Sequence, residues 1–305
     1  MKTLHVHAGG GLGDFIYTYF KDYSWRRIAS VKATVDCRIV AVLSIHNPSC
    51  CELIYTNPYI DSYLLHPWYP PGHSKERDWK HIVAGSRLED WARRNNIQDC
   101  EGYHKIEQKI HLTDKEQLFL DKIKEEKFIV IHPFAGLPHR GCLPHPLDGE
   151  YKCFPDYKYI QSANALAEEG YNVIFIGKTS FDGTEEHRNY EEGLAFPKEH
   201  MHPNVKSLIN KISCRMNVEL CRSAAGFMGT HSSMLSAAWT SGTPSVFFYP
   251  CYDEHGNHRS VTEYGGTTGT WALDEPQNAY FQMRAEDFLS LDYRTPVQKL
   301  MSLIK

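Results

Sequence analysis

The stretch LHVHAGGGLGDFIYTYF, residues 4–20, decides the fold, because an apolar strand runs into a glycine-rich turn and then into a helix. Glycines at such a turn let the backbone approach a ligand closely, and the helix start that follows favours anions. In α/β proteins, ligands usually bind where a strand ends and a helix begins. The stretch therefore predicts an α/β protein that acts on a nucleotide-containing ligand.

The glycines do not complete the dinucleotide-binding fingerprint. Counting from Gly9 through Gly11, Asp14 stands where Gly-x-Gly-x-x-Gly requires its third glycine. A carboxylate there would face the pyrophosphate that such a loop normally holds, so we interpret Asp14 as a base or an orienting group. The alternative is an acid at the start of a helix that only caps it or stabilises its dipole.

Composition narrows the class of protein. The 305 residues are enough for two domains of about 150 residues each. The net charge of -4 argues against a broadly basic surface for nucleic acid, although it leaves room for a local basic groove. No apolar run reaches the roughly 18 to 20 residues of a membrane span, and the chain opens on a strand instead of a signal segment. We therefore expect a cytoplasmic protein.

Nine cysteines occur without a repeated Cys-x-x-Cys. In a chain expected to be cytoplasmic, they are more simply reduced thiols than a disulfide framework. We predict no metal site.

Strands and helices alternate along the first half of the chain. The predicted strands cover 4–7, 38–43, 63–65 and 81–84, and the predicted helices cover 15–28 and 88–95. A charged amphipathic helix at 113–127 then precedes an apolar strand at 128–132. We place the domain boundary there, which gives domains 1–126 and 127–305.

The second half repeats this order. Its predicted strands are 128–132, 172–176, 224–228 and 245–249, and its predicted helices are 157–169, 216–222, one ending at 239 and one at 297–305. Such alternation implies parallel strands with helices on both faces and a ligand crevice at the strand ends. The predicted fold class is α/β, with two Rossmann-like, doubly wound domains facing a cleft.

Two sequence motifs lack residues that their known functions require. Gly177-Lys178-Thr179 resembles the end of a Walker A loop, but the earlier glycine would stand at Asn172, inside a predicted strand. Ser232 and Ser233 lack the Gly-x-Ser-x-Gly elbow of a hydrolase. Serine at a strand-to-helix loop is suited to binding phosphate together with the helix N–H groups, or to capping the helix.

Four segments occur in the order found in the heptosyltransferases of lipopolysaccharide synthesis, glycosyltransferase family nine. They are GGLGDFI (10–16), VIHPFAG (130–136), YKCFP (151–155) followed by ALAEEGYNVIFIG (165–177), and CRSAAGFMGTHSSMLSAAWTSGTPSVFFY (221–249). They resemble that family's strand-Gly-Asp start, its His-Pro-Gly strand end, its Lys-x-Trp-Pro turn and its Asp-Ser-Gly-x-x-His-x-Ala-Ala donor loop.

The resemblance implies a two-domain GT-B glycosyltransferase that binds the acceptor mainly with its N-terminal domain and the nucleotide-sugar with its C-terminal domain. Asp14 matches the family's catalytic base, and Lys152 matches its phosphate-contacting lysine. The residues expected to contact the donor are Gly11, Gly13, Gly136, Lys152, Gly177, His231, Ser232, Ser233 and Ser236. His231, Ser232 and Ser233 stand where the family has Asp-Ser-Gly, and Ser236 stands where it has histidine. These departures put the identity of the sugar donor in question.

The chemistry fits these residues. An acceptor hydroxyl must lose a proton as it attacks the anomeric carbon, so Asp14 would act as the general base. Lys152 and the helix N-terminus after Gly229 would stabilise the leaving nucleoside diphosphate without a metal. We therefore expect a metal-independent transfer that needs no cofactor beyond the nucleotide-sugar substrate. Inversion at the anomeric carbon follows from the resemblance alone.

Three alternatives stay open. The favoured acceptor is a saccharide, but basic and aromatic residues of the N-terminal half would also suit a hydroxymethylated base in DNA, the substrate of some phage glycosyltransferases. An NAD(P)-dependent oxidoreductase would need an acid at the end of the second strand, whereas Asp36 precedes that strand. A non-catalytic sugar-binding protein would not need Asp14 for its function.

Overall fold

The computed structural model describes residues 2–7, 12–21, 28–29, 31–33, 36–44, 52–66, 109–133, 154–177, 201–230, 232–250, 275–283 and 285–304. The chain divides into two compact units, Met1–Glu116 and Gln117–Lys305. The units divide near the start of the charged helical segment at 113–127. The predicted boundary, between 126 and 127, lies near the end of that segment.

The first unit contains a three-stranded sheet in its described part. Its elements are β1 (Lys2–His7), α1 (Leu12–Lys21), β2 (Cys37–Ser44) and β3 (Ser62–His66). The strands are parallel in the order β1-β2-β3. Helix α1 buries Phe15, Ile16 and Tyr19 completely. This spacing of i, i+1 and i+4 is the apolar stripe of a helix that packs on a core.

A buried polar network fixes α1 in place. The Tyr19 hydroxyl donates to the Lys109 carbonyl at 2.9 Å and accepts from Asn57 Nδ2 at 3.0 Å. Asn57 Oδ1 accepts from the Tyr59 N–H at 3.0 Å. Buried polar groups are costly unless they are paired, so this network stabilises the unit and ties α1 to the turn before β3.

Helix α2 (Asp114–Lys124) begins with a capping box. The Glu116 N–H donates to Thr113 Oγ1 at 3.3 Å, and the Thr113 N–H donates to Glu116 Oε2 at 2.9 Å. Each residue thus satisfies a backbone donor of the other, which explains why the helix starts here. Lys122 and Lys124 lie in the last turn, where the helix dipole favours cations.

The described residues of the second unit form a six-stranded sheet. Its strands are β4 (Phe128–His132), β5 (Asn172–Phe175), β6 (Val205–Ser207), β7 (Gly226–Thr230), β8 (Ser245–Pro250) and β9 (Asn278–Met283). Its helices are α3 (Asp156–Glu168), α4 (Cys214–Ser223), α5 (Ser233–Ser241), α6 (Ala285–Ser290) and α7 (Arg294–Leu303). All strands are parallel, in the order β6-β5-β4-β7-β8-β9. This is the doubly wound Rossmann order, which reverses between β4 and β7.

An aromatic cluster forms the core on one face of this sheet. Phe154 stacks on Phe248 with ring centroids 4.1 Å apart, and Tyr159 meets both rings edge-on. Val297 and Leu300 of α7 belong to the same buried cluster. The C-terminal helix of the unit is therefore part of its core.

The end of α6 is held by a buried lysine. Lys158 Nζ donates to the carbonyls of Phe288, Leu289 and Leu291, at 2.9, 2.6 and 2.5 Å. Desolvation lowers the pKa of Lys158, and the nearby carboxylate of Asp292 opposes that shift. Carbonyls at a helix end lack intrahelical donors, so an ammonium group bound to them stabilises the helix.

Most predicted elements of the described segments are confirmed, within a few residues at each end. The helix predicted at 15–28 is confirmed as far as Lys21, and residues 22–27 lie outside the described residues. The strand predicted at 224–228 instead covers Gly226–Thr230, since Ala224 caps α4 and Ala225 donates to the Phe128 carbonyl. The two outermost described strands, β6 and β9, and helix α6 were not predicted from the sequence. Helix α1 starts at Leu12, so Gly13 and Asp14 lie in its first turn and not in the preceding loop. The elements predicted at 81–84 and 88–95 lie outside the described residues.

Candidate functional site

The carboxyl ends of the central strands of the second sheet form the candidate site. His132 ends β4, Thr230 ends β7, and Gly177 lies just beyond the end of β5. Because the strands are parallel, these residues lie at one edge of the sheet. Ligands of doubly wound sheets bind at this edge, at the point where the strand order reverses, and here that point lies between His132 and Thr230.

Glycine is required at the meeting point of β4 and β7. Gly229 pairs with His132 in the parallel register. A Cβ atom at position 229 would lie 2.6 Å from the His132 carbonyl oxygen and 2.9 Å from Phe227 Cζ. Such distances leave no room for a side chain, so Gly229 allows the backbones to approach as closely as they do.

Ser232 follows β7 in the chain, and its side chain contacts His132 at the end of β4. It occupies the N-cap position of α5 with an extended backbone, φ −154° and ψ 179°. Its hydroxyl lies 3.0 Å from Nδ1 of His132. No hydrogen bond joins this hydroxyl to the N–H groups of α5, all of which belong to the described part of the chain. The side chain is therefore turned from the helix towards β4.

A second serine of the unit shows the ordinary arrangement. Ser213 is the N-cap of α4, and its hydroxyl accepts from the Met216 N–H at 3.2 Å. Both serines precede helices, but only Ser213 uses its hydroxyl as a cap. The Ser232 hydroxyl lies instead beside the imidazole of His132 at the end of β4.

His132 is neutral at the site. Its side chain is almost completely buried, and desolvation lowers its pKa to about 3. A neutral imidazole has one N–H donor and one acceptor nitrogen, so Nδ1 can either donate to the Ser232 hydroxyl or accept from it. His132 therefore supplies a polar atom to this edge of the sheet without a positive charge.

Helix α5 places partial positive charge at this edge. The first N–H groups of a helix have no acceptor within the helix, and the helix dipole places partial positive charge on them. α5 is fixed by a buried face that includes Met234, Leu235 and Ala238. It ends at Gly242, whose φ of 77° suits glycine. Its N-terminus is thus a rigid place for an anion at the end of β7.

Some predicted site residues lie at this edge. Ser233 is the first residue of α5, and Ser236 lies one turn later with a buried side chain. Gly177 has a φ of 135°, and its carbonyl accepts from the Asn210 N–H at 3.0 Å. A positive φ favours glycine, so this position has a backbone reason for its residue type.

The other predicted site residues cannot be placed beside them. Gly13 and the backbone of Asp14 lie in α1 of the first unit. The side chain of Asp14, together with Gly11, Gly136, Lys152 and His231, lies outside the described residues. Their roles stay predictions.

His132 was not among the residues predicted for the site. The residue ends the predicted strand 128–132 and lies inside the VIHPFAG segment, so its position at the ligand edge was open to prediction. Its contact with Ser232 was not, because the two residues are 100 positions apart. Within the described ranges, no three His, Cys, Asp or Glu residues are grouped as metal ligands would be. No helix in those ranges is both long and apolar enough to cross a membrane.

The fold is similar to that of two solved glycosyltransferases. The ADP-heptose LPS heptosyltransferase II of E. coli matches with a TM-score of 0.56 and 13% identity, over 100% of this chain and 98% of that chain. A glycosyl transferase family 9 protein from Veillonella parvula matches with a TM-score of 0.56 and 11% identity, over 99% of this chain and 97% of that chain. No protein-family model matches the sequence, and no curated protein matches it significantly. At these identities the likeness concerns the fold, and it confirms the predicted resemblance to family nine and the α/β fold of the GT-B type.

Proposed function

We propose that this protein is a glycosyltransferase that moves a sugar from a nucleotide-sugar to an acceptor hydroxyl. The observation that carries the proposal is the fold it shares with the E. coli heptosyltransferase II over nearly the whole length of both chains. The order of the four family-nine segments along the sequence supports it independently. That neighbour is an ADP-heptose heptosyltransferase, which makes a nucleotide-sugar the first donor class to test.

The donor diphosphate binds at the carboxyl edge of the second sheet under this proposal. The N-terminus of α5 and the Ser232 hydroxyl offer hydrogen-bond donors there, and His132 is neutral. The positive charge that balances the leaving diphosphate then comes from the helix dipole and from Lys152. These groups allow the reaction to proceed without a metal ion.

Asp14 is the proposed general base. It follows the carboxyl end of β1 and lies in the first turn of α1, an edge where α/β proteins place reacting groups. As the acceptor oxygen forms its bond to the anomeric carbon, its proton passes to the Asp14 carboxylate, and the bond from that carbon to the diphosphate breaks. A single displacement of this kind inverts the anomeric configuration.

The proposed acceptor is a saccharide. The net charge of -4 favours it over DNA, whose binding relies on neutralising phosphates with basic residues. For the oxidoreductase alternative, Asp36 directly precedes β2, which starts at Cys37, and so lies at the wrong end of that strand to bind a ribose. Binding to DNA that falls steeply with added salt would instead favour the modified-base acceptor.

A thermal-shift screen tests the proposal. ADP-, UDP- and GDP-sugars are compared with NAD(P)H, because a ligand at about 100 times its dissociation constant stabilises the folded state by roughly 2.7 kcal/mol. Stabilisation by a nucleotide-sugar is expected, and stabilisation by the nicotinamide dinucleotide alone would favour the oxidoreductase. Asp14→Asn should then abolish turnover while leaving donor binding intact. Full turnover by that variant would show that Asp14 is not the base.

A further inference from the structure

We propose that His132 is a positioning residue for Ser232. It directs the Ser232 hydroxyl away from capping the helix, so that this hydroxyl can donate a hydrogen bond to a phosphate oxygen. This inference rests on the proposed function, because the phosphate in question belongs to the nucleotide-sugar. The imidazole contacts Ser232, and we place only Ser232 and the helix start in contact with the ligand. His132 is therefore not assigned a catalytic role.

The Ser232 hydroxyl does not cap the helix that follows it. An N-cap serine normally accepts a hydrogen bond from an N–H of the first helical turn, as Ser213 does for α4. Ser232 instead directs its hydroxyl at His132 Nδ1, 3.0 Å away. The Leu235 N–H donates to the Ser232 carbonyl at 3.1 Å, but the Ser232 hydroxyl does not bind the N–H groups of Ser233 and Met234. A phosphate oxygen is suited to those two groups.

The Ser232 hydroxyl can bind the imidazole and a phosphate oxygen at the same time. A serine hydroxyl has one proton to donate and two lone pairs that accept. When Nδ1 of the neutral imidazole carries its hydrogen, it donates to Ser232 Oγ, and the serine proton is released for a phosphate oxygen. The chain then runs from imidazole N–H to serine oxygen and from serine O–H to phosphate. Each donor in it meets one acceptor.

His132 and Ser232 are both held by well-packed secondary-structure elements. His132 lies on the central strand β4 and pairs with Gly229, which admits no side chain. Ser232 precedes a nine-residue helix whose inner face is buried. The bond between them therefore crosses the reversal point of the sheet between two well-fixed elements. A hydroxyl held in this way loses little rotational freedom when a ligand binds.

A double-mutant cycle tests the inference by calorimetric titration with ADP, UDP and GDP, and the tightest-binding diphosphate is used throughout. His132→Phe keeps a planar ring but removes Nδ1, and loss of one such hydrogen bond should weaken diphosphate binding about 10-fold. His132→Asn carries a polar atom near the position of Nδ1 and should restore binding to within about 3-fold of the wild type. In a Ser232→Ala background, His132→Phe should have no further effect on affinity. Binding of the corresponding nucleoside, which lacks phosphate, should be equal in all variants.

Ser213→Ala is the matched control, since it removes a serine that caps its helix in the ordinary way. It should lower stability and leave diphosphate affinity unchanged. If His132→Phe does not fold, His132→Gln replaces it, because its amide reaches towards Nε2 and not Nδ1.

Two results would overturn the inference. If the losses from His132→Phe and Ser232→Ala multiply in the double variant, or if His132→Asn binds as weakly as His132→Phe, the positioning role is wrong while the proposed function stands. If the wild type binds none of the three diphosphates, both fail together.

Discussion

Burial of a neutral histidine makes the second unit sensitive to acid. The pKa of His132 is lowered from 6.5 to about 3, so the unfolded chain binds a proton between these values that the folded protein does not bind. Above about pH 6.5 the neutral His132 costs the folded state nothing. As the pH falls below that value, His132 lowers the free energy of unfolding, and the effect levels off near pH 3. Each unit of pKa difference corresponds to about 1.36 kcal/mol. At pH 4.5, two units below the unfolded pKa, His132 lowers the free energy of unfolding by about 3 kcal/mol.

Urea denaturation at pH 7.0 and pH 4.5 measures this loss. His132→Asn cannot titrate, so the wild type should lose about 3 kcal/mol more than this variant between the two pH values. Gln298→Ala, at an exposed and uncharged position of α7, serves as the control and should lose as much as the wild type. Other titrating groups cancel in the comparison. Equal losses in the wild type and His132→Asn would refute the conclusion that burial keeps this imidazole neutral.

Three further substitutions test the packing and capping of the two units by thermal or urea denaturation. Gly229→Ala places a Cβ 2.6 Å from the His132 carbonyl oxygen and should cost about 2 kcal/mol, and an unchanged midpoint would mean that β4 and β7 separate easily. Lys158→Met keeps the aliphatic stem but leaves three carbonyls at the end of α6 without their shared donor, so a loss of about 3 kcal/mol is expected, and a loss under about 0.5 kcal/mol would contradict a stabilising role. Thr113→Ala breaks the capping box with Glu116 and should cost about 1 kcal/mol, whereas Thr113→Ser should restore most of it; equal effects of the two would argue against the cap.

The central strands were predictable because their burial leaves a direct mark on the sequence. β4 is FIVIH with all five residues buried, and parallel strands covered on both faces read as continuous apolar runs. Among the strands that the structure describes, β9 lies at the edge of the sheet. Its six residues, NAYFQM, are all described, and none of them is buried. The sequence NAYFQM therefore lacks the apolar run that identifies an inner strand, and the edge of the sheet emerges only from its pairing with β8.

The candidate site was predictable in part for a related reason. Ser232 and Ser233 follow a strand and start a helix, and that local order is visible in the sequence. The partner of Ser232 is not, because His132 reaches it only through the pairing of β4 with β7, two strands separated by β5 and β6 along the chain. Local periodicity carries no information about which strands become neighbours. The direction of the Ser232 hydroxyl, and with it the open start of α5, depends on that long-range pairing.

The most direct measurement is a crystal structure of the protein with the nucleoside diphosphate that binds it most tightly. We expect phosphate oxygens about 2.7–3.2 Å from Ser232 Oγ and from the first N–H groups of α5, at the reversal point between β4 and β7. A diphosphate bound away from this edge of the second sheet, with Ser232 still directed only at His132, would contradict the assignment of the donor site.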